Sequence, residues 1–175
     1  ADPEADLLYG QVLKPAKLVQ DAIAGKIIVP DLEFPRERLS KKDGFHVIGM
    51  GANMAIRRRL VDLVFGFDEA LGGGGPLRSA QDYDFAYRTY RFGSAIILSD
   101  KVKADHYGTR LPEQWPVTMQ NYGIGDGAFY AKHIRCGDFQ ALVMLLKLIF
   151  RSWAREIKSI VTKGKWNKDL YGRFL

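Results

Sequence analysis

The sequence has a single cysteine, Cys136, and no CxxC pair. A lone cysteine excludes an internal disulfide framework, and without paired cysteines the usual sign of a structural zinc site is missing. Residues 1–175 contain no uncharged apolar run long enough for an ordinary membrane-spanning helix. Residues 1–10 lack the basic and then apolar layout of a signal peptide. We therefore expect a chain that is not built on disulfides, does not span a membrane and is not secreted by that signal.

The composition that is present is typical of a globular protein. Apolar residues make up 47% of the chain and charged residues 26%, which argues against a disordered chain. A length of 175 residues is enough to bury a sizeable core and by itself indicates one domain.

The net charge of +6 is concentrated in the C-terminal part of the chain. Residues 1–100 carry 13 Lys and Arg against 14 Asp and Glu, whereas residues 101–175 carry 13 against 6. A basic segment favours phosphate-bearing partners, which include nucleic acid, anionic lipid and nucleotide sugars. We expect no nucleic-acid partner, because the aromatic residues do not form a stacking platform on a recognisable sheet motif.

The hydrophobic pattern mixes short strands with helices. Ser79 is a good N-cap for a helix that Gly93 closes. Further segments are predicted from their periodicity and breakers: strands at 5–13, 26–29, 45–56, 95–98 and 103–107, a surface loop at 30–44, helices at 15–25, 57–65 and 138–162, and a helix, glycine-broken turn and helix over 112–135.

Asp82 and Asp84 follow a run of four glycines and stand at the start of a predicted helix. A carboxylate in this position can accept a proton from a substrate hydroxyl if the glycine loop closes and excludes water. The alternative is that both acids only complement the positive end of the helix dipole.

Two further features are candidates for ligand binding. Gly49, Gly51 and Ala52 leave little side chain, which suits either a closely approaching ligand or a tight bend in a sheet. His106 and Arg110 follow a predicted strand, where an imidazole could bind a metal and a guanidinium could hold a phosphate. A lone histidine is more often structural, and no second ligand lies at near spacing.

Four motifs in order resemble glycosyltransferase family 2. They are Gly-Ala-Asn-Met-Ala-Ile-Arg-Arg at 51–58, Gly-Phe-Asp-Glu-Ala-Leu-Gly at 66–72, Gln-Asp-Tyr-Asp-Phe-Ala-Tyr-Arg at 81–88, and then Gly93 with His106. The resemblance covers roughly residues 5–135, and an ordered set of motifs is more specific than any one of them.

The resemblance implies the C-terminal, acceptor-side half of the A-type, Rossmann-like glycosyltransferase fold: an α/β fold with a mixed sheet, flanking helices and an added C-terminal amphipathic helix. We accordingly divide the chain into an acceptor half at 1–135 and a basic helical extension at 136–175. The resemblance implies that the nucleotide-binding half, with its Asp-X-Asp motif, precedes this chain. On this expectation the chain is a fragment that is inactive alone, and the main ligands of the Mg²⁺ or Mn²⁺ cofactor lie in the other half.

Roles follow from the resemblance residue by residue. Asp82 matches the general base that deprotonates the acceptor hydroxyl. Gln81 stands where the family has Glu, so one negative charge is lost and Asp82 is expected to be a weaker base. Gly51, Ala52 and Asn53 match the segment that lines the donor sugar. His106 matches a metal or diphosphate histidine of some members, with Arg110 as a phosphate partner.

The implied reaction is sugar transfer from a nucleotide-sugar donor to a glycan or lipid-linked acceptor, with inversion, in the cytoplasm. The predicted last helix is apolar at 139–150 and is followed by basic residues and Trp153 and Trp166, a pattern typical of a helix that lies on an anionic membrane surface. We therefore expect peripheral association with the inner face of a membrane. The alternative is a helix packed on another domain or chain.

A rival from another class is a non-catalytic module, derived from a glycosyltransferase, that docks on a membrane or a partner. A dinucleotide-binding enzyme is set aside, because Gly49-Met50-Gly51 lacks the third glycine of the fingerprint, and Met54 stands in its place.

Overall fold

A computed structural model of the chain describes residues 4–39, 44–46 and 49–163. The chain forms two compact units. One comprises Ala1–Glu69 and Gln81–Trp115, and the other Ala70–Ala80 and Pro116–Leu175. Both strands and helices occur, so the α/β class predicted from the sequence is confirmed.

The first unit is built on a mixed sheet, which has four strands in the part of the chain that the structure describes. The strands are β1 (Leu7–Leu13), β2 (Glu37–Arg38), β3 (Met54–Ile56) and β4 (Ile96–Asp105). Their order is β2-β4-β1-β3. The central pair, β1 and β4, is parallel, and the two short outer strands run antiparallel to their neighbours.

The central strands are apolar because both of their faces are covered. Leu7, Tyr9 and Leu98 belong to the main core on one face, while Leu8 and Ile97 belong to a smaller cluster. Successive side chains of a strand point to opposite faces, so a strand buried on both sides has no polar alternation. The buried strand that the apolar run predicts at 5–13 is confirmed as β1.

In the described part of the first unit, three α-helices flank the sheet in sequence: α1 (Val19–Ile23), α2 (Arg58–Leu63) and α3 (Gln81–Phe92). Helix α3 buries Phe85, Ala86 and Tyr90 in the main core. Gly93, at φ 90°, ends α3 as the sequence predicts.

The second unit contains α4 (Trp115–Arg135) and α5 (Phe139–Lys163). The glycine-broken helix predicted over 112–135 is wrong, because α4 runs without interruption through Gly123, Gly125 and Gly127. Gly125 permits a close approach: a Cβ on it would lie 2.0 Å from Oγ of Ser79. Packing within the unit therefore outweighs the low helix propensity of glycine.

Several local predictions are corrected by backbone hydrogen bonds. Residues 26–29 are not a strand, since only Ile28 forms an isolated bridge, to Arg110. The strand predicted at 45–56 is limited to β3, and a 3-10 turn at Gly51–Asn53 precedes it; residues 47 and 48 lie outside the described residues. The loop at 30–44 holds the two-residue strand β2, while residues 40–43 are not described.

The two strands predicted at 95–98 and 103–107 are one strand, β4, with a large bulge. Gly10 pairs with Ser99, and the next residue of β1, Gln11, pairs with Lys103. Residues 100–102 therefore have no partner in β1, and the bulge is what separates the two segments that the sequence predicts as strands.

Ser79 is not the N-cap of α3, because Ala80 lies between them. Its hydroxyl donates instead to the backbone carbonyl of Asn121, at 3.1 Å. Ala80 has a positive φ of 71°, unusual for a residue with a side chain. The serine therefore supports α4 rather than the start of α3.

Candidate active site

Asp82 stands at the start of α3, and two backbone N–H groups hold its carboxylate. Its Oδ2 accepts a hydrogen bond from the N–H of Gly51 at 2.8 Å, and its Oδ1 accepts one from the N–H of Tyr83 at 3.0 Å. The residue is half-buried. The first turn of a helix leaves N–H groups unpaired and carries partial positive charge, so a carboxylate is favourable there.

Gly51 leaves room for this approach. A Cβ added to it would lie 3.3 Å from Oδ2 and 3.4 Å from Cβ of Asp82, closer than most real contacts. The tight bend that the sequence allowed is a 3-10 turn at Gly51–Asn53, and the side chain of Asp82 approaches its backbone closely. The approach of a ligand to this segment stays a prediction.

Tyr9 also contacts Asp82. Its hydroxyl donates a hydrogen bond to the backbone carbonyl of Asp82 at 3.3 Å. Burial raises the pKa of the Tyr9 hydroxyl, and the negative charge of Asp82 raises it further. The hydroxyl therefore stays protonated and remains a donor.

The ring of Tyr9 packs directly on Gly49. A Cβ on Gly49 would lie 2.2 Å from Cγ of the ring. Tyr9 is not among the site residues that the sequence predicts. The signal that could have found it is a tyrosine in a buried and mostly apolar strand, since a buried phenol hydroxyl usually finds a hydrogen-bond partner.

Asn53, predicted to line the donor sugar, uses its amide nitrogen to hold the bulge in β4. The Nδ2 group donates to the carbonyl of Gln11 at 2.8 Å and to that of Val102 at 3.4 Å. A Cβ on Gly10 would lie 2.3 Å from this nitrogen. The Nδ2 group of Asn53 is therefore bound to the sheet. The residue lies two positions from Gly51 in the chain.

The two acids of α3 have different environments. Asp84 is fully buried, and its Oδ2 accepts a hydrogen bond from Nε of Arg88 at 2.8 Å. The other guanidinium nitrogens of Arg88 donate to the carbonyls of Val64 and Gly66, where α2 has just ended. The Asp84–Arg88 pair therefore links α3 to the end of α2, while Asp82 is half-buried.

His106 and Arg110 lie beyond the end of β4. The N–H of His106 donates to the carbonyl of Leu13 at 2.9 Å, so its position is fixed at the carboxyl end of the parallel pair β1 and β4. Ligands commonly bind at this edge of an α/β sheet. Among the described residues, Nδ1 of His106 is buried without a hydrogen-bond partner.

Arg110 pairs through its backbone with Ile28, at 2.7 and 3.0 Å. Within the described ranges, no hydrogen bond or ion pair joins His106 or Arg110 to Asp82. Gln81 begins α3 next to Asp82, and Ala52 is exposed in the turn after Gly51. The structure thus brings Gly51 and Asp82 into contact, with Gln81, Ala52 and Asn53 beside them in the chain.

The described residues do not form a metal-ligand group. No cluster of three or more His, Cys, Asp or Glu side chains that could hold a metal ion occurs among them. His106 alone does not make a divalent-cation site.

The glycine loop before α3 is held by hydrogen bonds within the second unit. The N–H of Gly72 donates to the carbonyl of Ser79 at 3.2 Å, and the N–H of Leu77 donates to that of Ala70 at 2.9 Å. Nη1 of Arg78 donates to Oδ1 of Asn121 at 2.9 Å. The loop has a defined conformation, and Arg78 shares with Ala80 a positive φ.

Comparison with protein-family models, curated proteins and solved structures gives no match to the chain. What the site can do chemically therefore follows from the hydrogen bonds to the carboxylate of Asp82. A carboxylate has about four lone-pair positions, and two backbone N–H groups occupy two of those of Asp82. The remaining positions can accept a proton from a hydroxyl placed against the half-buried side chain.

Proposed function

We propose that the chain carries the acceptor-side half of an A-type glycosyltransferase related to family 2, with Asp82 as the general base. The observation that carries the proposal is the Gly51–Asp82 contact, because it joins two segments that the motif resemblance names separately. A carboxylate fixed by backbone N–H groups at a helix start is positioned before a substrate arrives, which is what proton abstraction requires.

In the proposed reaction the acceptor hydroxyl oxygen forms a bond to the anomeric carbon of a nucleotide sugar. The bond from that carbon to the diphosphate oxygen breaks, and the diphosphate leaves with the electron pair on the opposite face. The hydroxyl proton passes to Asp82, and the configuration at the anomeric carbon inverts. The proposed acceptor is a glycan or a lipid-linked hydroxyl.

Neighbouring groups fix the position of the base. The N–H groups of Gly51 and Tyr83 each hold one carboxylate oxygen of Asp82, and Gln81 beside it is neutral. The carboxylate is therefore placed to take the hydroxyl proton as the new bond forms. The proposed enzyme also uses a Mg²⁺ or Mn²⁺ cofactor, whose main ligands would lie in the nucleotide-binding half.

Asp82→Asn tests the assignment in the full-length gene product. We expect sugar transfer, measured across a panel of nucleotide-sugar donors, to fall by about 10²- to 10⁴-fold, because the amide cannot accept the proton. The amide oxygen can still accept the N–H of Gly51, so the thermal midpoint of unfolding should change little. Asp100→Asn, in the exposed bulge of β4, is the matched control and should retain transfer. Full transfer by the Asp82 variant would exclude the role.

A second candidate function is a non-catalytic docking module. The observation that favours it is a row of exposed apolar side chains on α5. No helix in the described ranges is long and apolar enough to cross a membrane. We propose that the chain, whether or not it transfers sugar, associates peripherally with the inner face of a membrane.

A further inference from the structure

Helix α5 exposes large apolar side chains along one side. At 100° per residue, all of them fall within an arc of about 120° and extend for about 30 Å along the helix. The exposed apolar residues are Phe139, Leu146, Ile149, Phe150, Trp153, Ile157, Ile160 and Val161. We call this set the apolar stripe. Phe150 is 75% exposed and Trp153 70%, so the stripe is not part of the core of the second unit.

Two other faces of α5 have different chemistry. Ala141 and Ser152 are buried and mark the face that packs inward. Exposed basic residues occupy an arc of about 80° between that face and the apolar stripe. They are Lys147, Arg151, Arg155 and Lys158. Glu156 is the single acid within Phe139–Lys163, so the basic arc is hardly neutralised along the helix.

We propose that α5 lies in the plane of an anionic lipid surface, with the apolar stripe inserted at the boundary of the acyl chains and the basic arc at the lipid phosphates. The stripe supplies apolar area that water disfavours, and the arc supplies the charge that selects anionic headgroups. The long stems of Lys and Arg reach from the edge of an apolar surface to a polar layer, as this geometry requires. Trp153 on the stripe is a residue type that favours the interface itself.

Charge complementarity favours lipid over a second copy of the chain. In a symmetric pair packed on the stripe, α5 of neither chain would offer an acidic surface to the basic arc of the other, because Glu156 is the single acid within Phe139–Lys163. The apolar stripe is also a continuous row of side chains, whereas the apolar residues that protein surfaces normally expose are scattered singly. This inference rests on the peripheral association proposed above and is independent of sugar transfer.

Vesicle co-sedimentation of the full chain tests the proposal. We expect strong binding to phosphatidylcholine vesicles with about one third phosphatidylglycerol, and at least about tenfold weaker binding to phosphatidylcholine alone or in high salt. The triple variant Phe150→Ser, Trp153→Ser and Ile157→Ser should lose at least about tenfold in binding to the anionic vesicles. The variant Arg151→Gln, Arg155→Gln and Lys158→Gln should lose its preference for the anionic vesicles.

Matched controls remove similar groups elsewhere. The set Ile23→Ser, Phe65→Ser and Phe92→Ser removes exposed apolar side chains of the first unit, and the set Arg58→Gln, Lys101→Gln and Lys103→Gln removes exposed charges. Both should bind vesicles as the wild type does. Asp82→Asn should also bind normally, so that failure of sugar transfer and failure of lipid binding are read separately.

Four results would overturn the proposal. The first is equal binding by the stripe variant and its control, and the second is absence of binding by the wild type. The third is a dimer, measured by sedimentation equilibrium without vesicles, that the stripe variant abolishes. The fourth is binding by a chain that ends at Lys163 when the full chain does not bind. That result would mean that residues 164–175, and not lipid, are what the apolar stripe binds in the full chain.

Discussion

At the scale of single residues, the candidate site depends on glycines that leave room for a neighbour. Gly49 approaches the ring of Tyr9 more closely than a residue with a Cβ could, and Gly51 leaves only tight room for a Cβ beside Asp82. The sequence shows that small residues cluster here, but it does not show what approaches them. Tyr9 and Asp82, far apart in the chain, are the groups that occupy the space.

Gly49→Ala should destabilise the chain, because its Cβ would lie 2.2 Å from the ring of Tyr9. The ring is part of the main core, so the backbone or the core must shift, at a cost of about 1–3 kcal/mol in the free energy of unfolding. Urea unfolding followed by circular dichroism measures this cost. Gly74→Ala is the control, since nothing lies within 4 Å of its added Cβ. Equal stability of the two variants would contradict the packing of Tyr9 on Gly49.

At the scale of helices and strands, ion pairs of the same spacing have different importance. Asp84 and Arg88 on α3 are four residues apart, with Asp84 fully buried and Arg88 half-buried, whereas Arg58 and Asp62 on α2 are four residues apart and exposed. Arg88 also holds the end of α2 through the carbonyls of Val64 and Gly66. The buried pair therefore joins two helices, while the exposed pair is confined to one.

Arg88→Met should cost about 3–5 kcal/mol in the free energy of unfolding, because it removes the guanidinium that neutralises a fully buried carboxylate. Adding Asp84→Asn to it should recover part of that loss, since the buried charge is then gone. Arg58→Met should change the free energy by less than about 1 kcal/mol. Chemical unfolding of the four proteins measures the differences. A double variant no more stable than Arg88→Met would refute the explanation by charge.

Local propensity failed where tertiary packing decides the element. The glycines of α4 predicted a break, but Gly125 is the position where the helix approaches Ser79. The two strands predicted on either side of residues 100–102 are one strand, and the side chain of Asn53 holds its bulge by donating to the carbonyl of Gln11 in β1 and to that of Val102 in the bulge. In both places a contact distant in sequence supplies the stabilisation.

At the scale of the whole molecule, Asp6 ties together three parts of the first unit. Its Oδ1 accepts a hydrogen bond from Arg59 at 2.6 Å, and its Oδ2 accepts one from the N–H of Ala95 at 3.1 Å. Burial alone would raise the pKa of Asp6. The hydrogen bonds from Arg59 and Ala95, with the positive charges of Arg59 and Arg57, together lower it below the ordinary value of 3.8.

Asp6 should therefore make the stability of the first unit depend on pH. A carboxyl whose pKa is lower in the folded state stabilises that state above the unfolded value, and this contribution is lost as the pH falls through the folded value. Asp6→Asn should lower the free energy of unfolding by about 1–3 kcal/mol at pH 7, and the difference from the wild type should shrink at pH 3. Urea titrations at the two pH values test this. A difference that is independent of pH would show that charge is not the cause.

The sequence by itself determined the α/β class, the buried strand β1, the helix that carries Asp82 and Asp84, and the long C-terminal helix. Each of these is encoded locally, by an apolar run, by helical periodicity or by a glycine at a helix end. The assignment of Asp82 as a candidate base also came from the sequence, through the motif resemblance.

Tertiary structure alone decided which acid is buried and which is accessible, and what the glycines contact. It also decided which side of α5 stays exposed. Asp82 and Asp84 are equivalent in a sequence pattern because both stand in the first turn of one helix. They differ because the helix turns one toward Gly51 and the other into the core beside Arg88. Burial is a property of all the surrounding elements together, so no local pattern can specify it.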